Sequence, residues 1–217
     1  MKKGYFKDMN KINKGYHKRK QVILSIILYF IGVFFMPAGI VLTINSNAGA
    51  GGYDALNFAI GDILKIKTSY AIYITAVISI LIAALIRKSI PRITTFISSF
   101  LIGVFTDFWK SALINIQAVQ YIESVIILAA GMLIIAVAAA AYMLSSFPTN
   151  PTDDLVVALK ERGLSIKTAK ISFDFVCAVL AFCIGGNISW GTIVITFGTG
   201  PLVDMFYQII NKRIGCV

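Results

Sequence analysis

Ten acidic residues stand in this apolar chain of 217 residues, and five of them could bind an ion or a polar solute. Asp54 and Asp153 occupy matching places in the two halves of the chain, each shortly after a glycine or proline. Asp107 and Asp204 form a second matching pair, each four residues after a glycine, whereas Asp174 has no counterpart. A carboxylate placed inside a membrane costs about 2.5–3.5 kcal/mol on insertion scales, so it is a functional candidate by default. Such acids suit a proton, a cation or an amine-bearing solute.

Each acid also has a structural explanation. Asp54 and Asp153 could be helix N-caps, whose side chains accept hydrogen bonds from the first free backbone N–H groups. The same helix starts, with Gly52, Tyr53 and Pro151 beside the acids, would present partial positive charge and free donors to a ligand. The two explanations do not exclude one another, and all five residues are candidates for substrate or ion binding.

The other three acids leave similar alternatives. Asp107 and Asp204 are followed by aromatic and basic residues of the type found at a membrane interface, so they could lie a turn or two inside that interface. Asp174 lies one helical turn after Lys170, and a simple ion pair between them is the structural alternative to a functional role.

The composition indicates that these acids belong to a membrane protein. The chain is 58% hydrophobic and 14% charged with a mean hydropathy of +0.82, whereas about a quarter of a soluble domain is charged. Six apolar segments are each near the ~20 residues that a transmembrane helix needs. They are residues 22–44, 70–86, 93–113, 122–144, 169–184 and 190–210, of which the fifth is the shortest.

Two short amphipathic segments, residues 54–64 and 153–161, begin at the paired acids and cannot span a membrane because each has only about eleven residues. We expect them to be re-entrant or interfacial half-helices. Each half of the chain then holds three spans and one short helix. Because three is odd, the second half must be inverted relative to the first, as in many secondary transporters.

The predicted fold is therefore an all-α membrane protein with six transmembrane helices arranged as two inverted three-helix repeats. The predicted divisions are a basic N-terminal tail (1–21), a first membrane repeat (22–115), a second repeat (116–211) and a short C-terminal tail (212–217). Eight of the 20 basic residues lie in the first 20 positions, and the other basic loops fall on the same side if there are six spans. This bias predicts a plasma-membrane protein with both termini cytoplasmic and with anionic lipid at the tail.

Several other functions are disfavoured. The charge of +10 lacks the folded basic face that nucleic-acid binding needs. There is no phosphate-binding loop, and the single His17 lies in the basic tail. Three cysteines without paired spacing argue against a disulfide framework or a zinc site. Tyr53-Asp54 imitates half of an intramembrane aspartyl protease signature, but the second half is missing. We expect no enzyme activity, no cofactor and no metal.

With these landmarks the chain resembles the YczE/YyaS/YitT family of bacterial integral membrane proteins. The family's first motif, a glycine-rich turn followed by Gly-Pro-aromatic-Asp-x-Leu, corresponds here to residues 49–56, with Gly52 in place of the proline. Its second copy lies at residues 151–155 and lacks the aromatic residue. The late motif Gly-Pro-x-x-Asp is intact at 200–204 and altered at 103–107. The resemblance covers about residues 23–210 and implies a multi-pass membrane protein of poorly defined activity.

Two functional hypotheses follow. In the first, the chain is a small secondary transporter or permease whose short helices face a central site, with Asp174 or Asp204 coupling protons. In the second, it is a non-transporting accessory or regulatory membrane protein anchored by its basic tail. An intramembrane aspartyl protease is a distant third. A homodimer is compatible with so thin a bundle. The sequence alone does not identify the solute.

Overall fold

The computed structural model describes residues 2–145, 147, 148, 150–164 and 166–214, without the side chains of residues 2–20, 166, 167 and 214. Within this part of the chain the regular structure is entirely helical, which confirms the predicted all-α class. A single 3-10 turn, Ile93–Thr95, precedes α4. The α-helices are α1 (Lys2–Asn45), α2 (Gly52–Leu64), α3 (Thr68–Arg87), α4 (Phe96–Ala112), α5 (Tyr121–Leu144), α6 (Pro151–Glu161), α7 (Ile166–Cys183) and α8 (Trp190–Ile214).

The helix boundaries follow the apolar pattern of the sequence. Each of the six apolar segments lies within one long helix, apart from the few residues at its ends. Helices α2 and α6 end with the two predicted short segments but begin two residues before them, at Gly52 and Pro151. The basic stretch predicted as a separate tail is continuous with α1, and its side chains lie outside the described residues.

Four helices in the described part of the chain are long and apolar enough to cross a membrane: Gln21–Asn45, Thr68–Arg87, Tyr121–Leu144 and Trp190–Arg213. The other two predicted spans, α4 and α7, do not meet this description, each for its own reason. Helix α4 has 17 residues, which is short for a span. Helix α7 has 18 residues but carries Lys167, Lys170 and Asp174. The count of six spans therefore stays a prediction.

Helices α1 and α5 form the central pair and run antiparallel, because residues early in α1 lie against residues late in α5. A Cβ atom on Gly32 would lie 2.6 Å from the Cβ of Tyr142, and one on Gly39 would lie 2.7 Å from the carbonyl oxygen of Gly131. Side chains at these glycines would force the helices apart, so small residues set the spacing of the pair.

The two short helices pack crosswise between the halves of the chain. Helix α2, from the first half, packs on α7 through a core that includes Ala55, Leu56 and Ala181. Helix α6, from the second half, packs on α3, where Ala83 meets Leu155. Each short helix is thus positioned by a long helix of the other half.

Candidate functional site

The first short helix begins in direct contact with the middle of α7. The chain leaves α1 at Asn45, turns through a segment in which Gly49 has a φ of +108°, and starts α2 at Gly52. A Cβ atom on Gly52 would lie 2.1 Å from the carbonyl oxygen of Asp174. Only glycine permits this approach, because it has no Cβ atom. The contact brings the first turn of α2, including Asp54, against α7.

Asp54 and Asp153 are each the third residue of a short helix, as their matching sequence positions predicted. Their interpretation as N-caps is wrong. The N-cap residues are Gly51 and Asn150, and neither makes a side-chain capping bond. Because the backbone N–H groups at the helix ends do not require the two carboxylates, these are available for other partners.

Both carboxylates interact with the same ion pair on α7. The Nζ of Lys170 lies 3.7 Å from Oδ2 of Asp174, so the predicted pair forms. Lys170 interacts electrostatically with Asp54 and Asp153 as well as with Asp174. We call these four residues the carboxylate cluster. Pro151 is fully buried at the start of α6, and with Gly52 it helps to place the acids without contributing a charge.

The carboxylate cluster is exposed on one side. The side chain of Asp174 is 16% exposed and that of Lys170 is 56% exposed, although they belong to one ion pair. Lys170 therefore lies at the exposed edge of the cluster.

The charge balance of the cluster determines its chemistry. Three carboxylates face one ammonium group, and a partly buried site cannot hold unpaired charge cheaply. Such a site becomes neutral by taking up a proton or by binding a cationic group. Within the residues that the structure describes, no three His, Cys, Asp or Glu side chains are grouped to hold a metal ion.

Tyr53 stabilises the start of α2 through contacts with α3 and α7. Its hydroxyl donates to Thr75 at 3.0 Å, and the hydroxyl of Thr75 donates to Oδ1 of Asn57 at 2.6 Å. The ring of Tyr53 packs beside Phe173 of α7, with ring centroids 5.8 Å apart. The hydroxyl of Tyr53 is thus engaged in a buried network between α2 and α3, which holds the first turn of α2 in place.

Asp107 and Asp204 lie apart from the carboxylate cluster. Asp107 accepts hydrogen bonds from the backbone N–H and the hydroxyl of Ser69, at 3.2 Å and 2.5 Å, and so connects the end of α4 to the start of α3. Asp204 is exposed on α8 and accepts a hydrogen bond from Gln208 at 3.2 Å. The matching positions of these two acids did not predict such different surroundings.

A buried ion pair that the sequence did not reveal links α3 to α6. Arg87 donates to Asp154 at 2.6 Å, and both side chains are 6% exposed. Arg87 also contacts Glu161 at 2.8 Å, and Arg92 contacts Asp154 at 3.1 Å. The sequence did offer one hint of this pair, the two adjacent acids at 153 and 154. In the first half of the chain, Ala55 stands at the position that matches Asp154, so the second acid is not part of the repeated pattern. Arg87 gave no signal, because a basic residue after an apolar segment usually lies in interfacial water.

A cavity of about 200 Å³ lies at some distance from the carboxylate cluster, beside the second half of α2. Phe58, Asp62 and Asn187 are among the residues that line it. Asp62 forms an ion pair with Lys110 at 3.6 Å, so this acid is part of the junction between α2 and α4. None of the predicted site residues lines this cavity.

Comparison with known proteins identifies the family of the chain but does not indicate an activity. A family described as "Family of unknown function (DUF6198)" matches residues 23–208. The chain is 28% identical to the "Uncharacterized protein YyaS" of Bacillus subtilis, over 88% of this chain and 96% of that protein. It is 24% identical to the "Uncharacterized membrane protein YczE" of the same organism, over 85% of this chain and 86% of that protein. No solved structure matches the chain significantly. The predicted YczE/YyaS resemblance is confirmed, and with the apolar helices it supports a membrane location.

Proposed function

The chain belongs to the DUF6198 family, and from this premise we propose that it is a small secondary transporter rather than an enzyme. The observation that carries the proposal is the convergence of Asp54 and Asp153, from two separate short helices, on the Lys170–Asp174 pair of α7. Half-helices that begin at a shared polar site are the usual construction of a transporter binding site. The excess of carboxylates makes a proton the coupling ion and an amine-bearing solute the cargo.

Six spans are proposed, with α2 and α6 entering the membrane without crossing it. The loop after α3 meets the end of α6, since Arg162 donates to the carbonyl oxygen of Ile86 at 2.6 Å and Arg87 pairs with Glu161. At the opposite end of the bundle, the backbone N–H of Ala118 donates to the carbonyl oxygen of Asn45 at 3.0 Å. These contacts support a topology in which the loops carrying most of the basic residues share one side, the cytoplasmic side.

The proposed inversion of the repeats is supported by the α1–α5 contact. Gly32 faces Tyr142, and Gly131 faces Thr43. Gly131 stands 99 positions after Gly32, and Tyr142 stands 99 positions after Thr43, which is the offset between Asp54 and Asp153. The same contact therefore occurs twice with the roles of the helices exchanged. Two antiparallel helices that exchange roles are related by a two-fold axis perpendicular to both. Such an axis lies in the plane of the membrane, as an inverted repeat requires.

The mechanism proposed for the carboxylate cluster is an exchange of charge partners. The starts of α2 and α6 offer partial positive charge to Asp54 and Asp153, which offsets part of their repulsion. Lys170 pairs with one of the three carboxylates, that of Asp174. A proton or a cationic solute that binds Asp174 would release Lys170 toward the other two acids, so occupancy of the cluster alters which helices are held together.

The basic N-terminal stretch is proposed to contact anionic lipid on the cytoplasmic leaflet. Each Lys or Arg near such a surface contributes about 1 kcal/mol of attraction, and the contribution falls with salt. This contact fixes the orientation of α1 and is independent of the carboxylate cluster.

The proposed function is tested in proteoliposomes that contain a pH-sensitive dye. Cationic and zwitterionic amino compounds are added one at a time, and solute-dependent proton movement is recorded. We expect movement with at least one compound, its loss in Asp174→Asn, and its retention in Asp62→Asn, whose acid lies outside the cluster. Absence of solute movement for every compound, with and without a pH gradient, would overturn the transporter. If Lys-to-Ala changes in residues 2–20 abolish a cellular phenotype that Asp54→Asn and Asp153→Asn leave intact, the accessory role is favoured.

A further inference from the structure

Helix α8 packs on the rest of the protein along one side. Its residues Ile195, Leu202 and Ile210 belong to cores that include residues of α5. Among the described residues, α5 is the one long helix that α8 packs against extensively, whereas α4, which carries the matching late motif, packs on both α1 and α3. Most of the surface of α8 is therefore uncovered, although this helix is long and apolar enough to cross a membrane.

The uncovered side of α8 carries a continuous strip of exposed residues. A residue two positions away from one that faces α5 lies about 200° around the helix, on the opposite side. Five exposed residues stand in this relation to Ile195, Leu202 or Ile210, and we call them the α8 strip: Ile193, Phe197, Gly200, Asp204 and Gln208. Their spacing of four, three, four and four residues keeps them on one face over about four turns.

The α8 strip is polar where a surface that faces lipid should be apolar. Asp204 comes eight residues before Lys212, the first of the two basic residues in the last turn of α8, so it lies about two turns inside that end. A carboxylate inside a membrane is costly unless it has partners. Asp107, at the matching position of the first half, accepts hydrogen bonds from Ser69 of α3. Among the described residues, Asp204 accepts its hydrogen bond from Gln208 of its own helix. Asp204 can therefore accept further hydrogen bonds from another molecule.

The polar part of the α8 strip is complementary to itself. The side-chain amide of Gln208 has two N–H donors, of which one bonds Asp204 of the same helix at 3.2 Å. Two copies inserted into the membrane in the same orientation are related by a two-fold axis along the membrane normal, which brings residues of equal depth together. The second N–H of each Gln208 can then bond Asp204 of the partner subunit, and the same contact occurs twice. A second copy of the chain thus supplies what Asp204 lacks.

We propose that the α8 strip is the interface of a homodimer in which the α8 helices of two copies run parallel. Gly200 lies near the middle of the strip, and a Cβ atom there would meet no heavy atom within 4 Å, so another helix can approach the backbone closely. On the side toward the start of α8, Ile193 and Phe197 are 63% and 59% exposed and supply apolar packing. On the other side, Asp204 and Gln208 supply the hydrogen bonds. The dimer is independent of the proposed transport activity, because the strip lies on the side of α8 that faces away from α5.

Single cysteines in an otherwise cysteine-free chain test the position of the interface. Ile193→Cys and Phe197→Cys lie on the α8 strip. The controls are Ile209→Cys, on another side of α8, and Leu180→Cys on α7, at side chains that are 44% and 50% exposed. An oxidant added to native membranes should join two chains through the strip cysteines and leave the control variants as single chains.

The role of the polar pair is tested by energy transfer between differently labelled copies in bilayers, at several ratios of protein to lipid. Asp204→Leu combined with Gln208→Leu should weaken association about ten-fold, because both symmetric hydrogen bonds are lost. Asp204→Asn should retain association, since the amide keeps an acceptor and adds a donor. All of these changes affect exposed side chains, so the variants should fold.

Several outcomes would overturn the dimer: equal linking at strip and control positions, linking through Ile209→Cys or Leu180→Cys alone, or association that the double leucine variant leaves unchanged. A single chain at every ratio of protein to lipid would mean that lipid covers the strip. A different protein joined to the strip cysteines would assign the strip to that protein, and this too would overturn the dimer. Because neither assay uses a solute, a chain that dimerises without transport would overturn the proposed function alone, and a transporting monomer would overturn the dimer alone.

Discussion

Asp54 and Asp153 are the third residues of two short helices that come from different halves of the chain, and both interact with Lys170. The starts of α2 and α6 have no side-chain capping bonds, so neither carboxylate is used to cap its own helix. Both acids can therefore interact with α7. The following predictions depend on this arrangement and on the contacts that hold it.

The carboxylate cluster should react with an apolar carbodiimide, which attacks protonated carboxyl groups inside membranes. We expect an adduct on one of its acids, found by mass spectrometry, at a rate that falls as pH rises because the protonated form is the reactive one. Asp174→Asn should lower the labelling by removing one acceptor. Asp62→Asn is the matched control, since Asp62 is 74% exposed in its pair with Lys110. Equal labelling of a variant with all three cluster acids changed to Asn would show that the reagent reacts elsewhere.

The buried ion pair between Arg87 and Asp154 should matter more than its exposed neighbour. Arg87→Met leaves Asp154 buried without its main partner and should cost about 3–5 kcal/mol. Arg92→Met makes the same change of charge at a side chain that is 54% exposed, and should cost no more than about 1 kcal/mol. Thermal denaturation in detergent measures both. Adding Asp154→Leu to Arg87→Met should restore part of the stability, and similar effects of the two arginine changes would contradict the assignment.

The central glycine contact should not tolerate a side chain. Gly39→Leu brings a Cβ atom within 2.7 Å of the carbonyl oxygen of Gly131, so we expect a loss of at least about 1–3 kcal/mol from overpacking. Gly200→Ala is the control, because a Cβ atom there has open space and a helical Gly-to-Ala change is worth roughly 0.5–1 kcal/mol in the opposite direction. Denaturation in detergent should separate the two variants, and a fully stable Gly39→Leu protein would refute the close approach of α1 and α5.

The six-span topology predicts opposite labelling of two exposed loop residues. Ile90 is 86% exposed after α3, and Val119 is 90% exposed before α5. In a cysteine-free background, an impermeant maleimide should label Ile90→Cys from the cytoplasmic side and Val119→Cys from the outside. A crossing by α2 would exchange the two sides, and labelling in that exchanged order would reject the six-span arrangement.

Local patterns in the sequence predicted the helices but not their partners. The lengths of the apolar segments predicted the long helices, and the paired acids placed the starts of α2 and α6 two residues too late, at Asp54 and Asp153 instead of Gly52 and Pro151. Both signals arise within one turn or one span. The meeting of Asp54 and Asp153 at Lys170 depends on which helices pack together, and that choice follows from side-chain fit between distant segments. The Arg87–Asp154 pair could not be predicted because it also depends on which helices pack together. Asp107 and Asp204 looked alike in the sequence for the same reason, although of the two only Asp107 accepts hydrogen bonds from the start of another helix.

Under the inverted repeat proposed above, the contact between α1 and α5 has a consequence for the ancestry of the chain. When Gly32 meets Tyr142 and its equivalent Gly131 meets Thr43, the interface is isologous, the kind that two identical chains form when they pair. A half-length ancestor could have dimerised through this surface only if its two copies had inserted into the membrane in opposite orientations. Fusion of two such copies would have fixed one orientation for each half and left Asp174, which has no counterpart, free to arise in the second half alone.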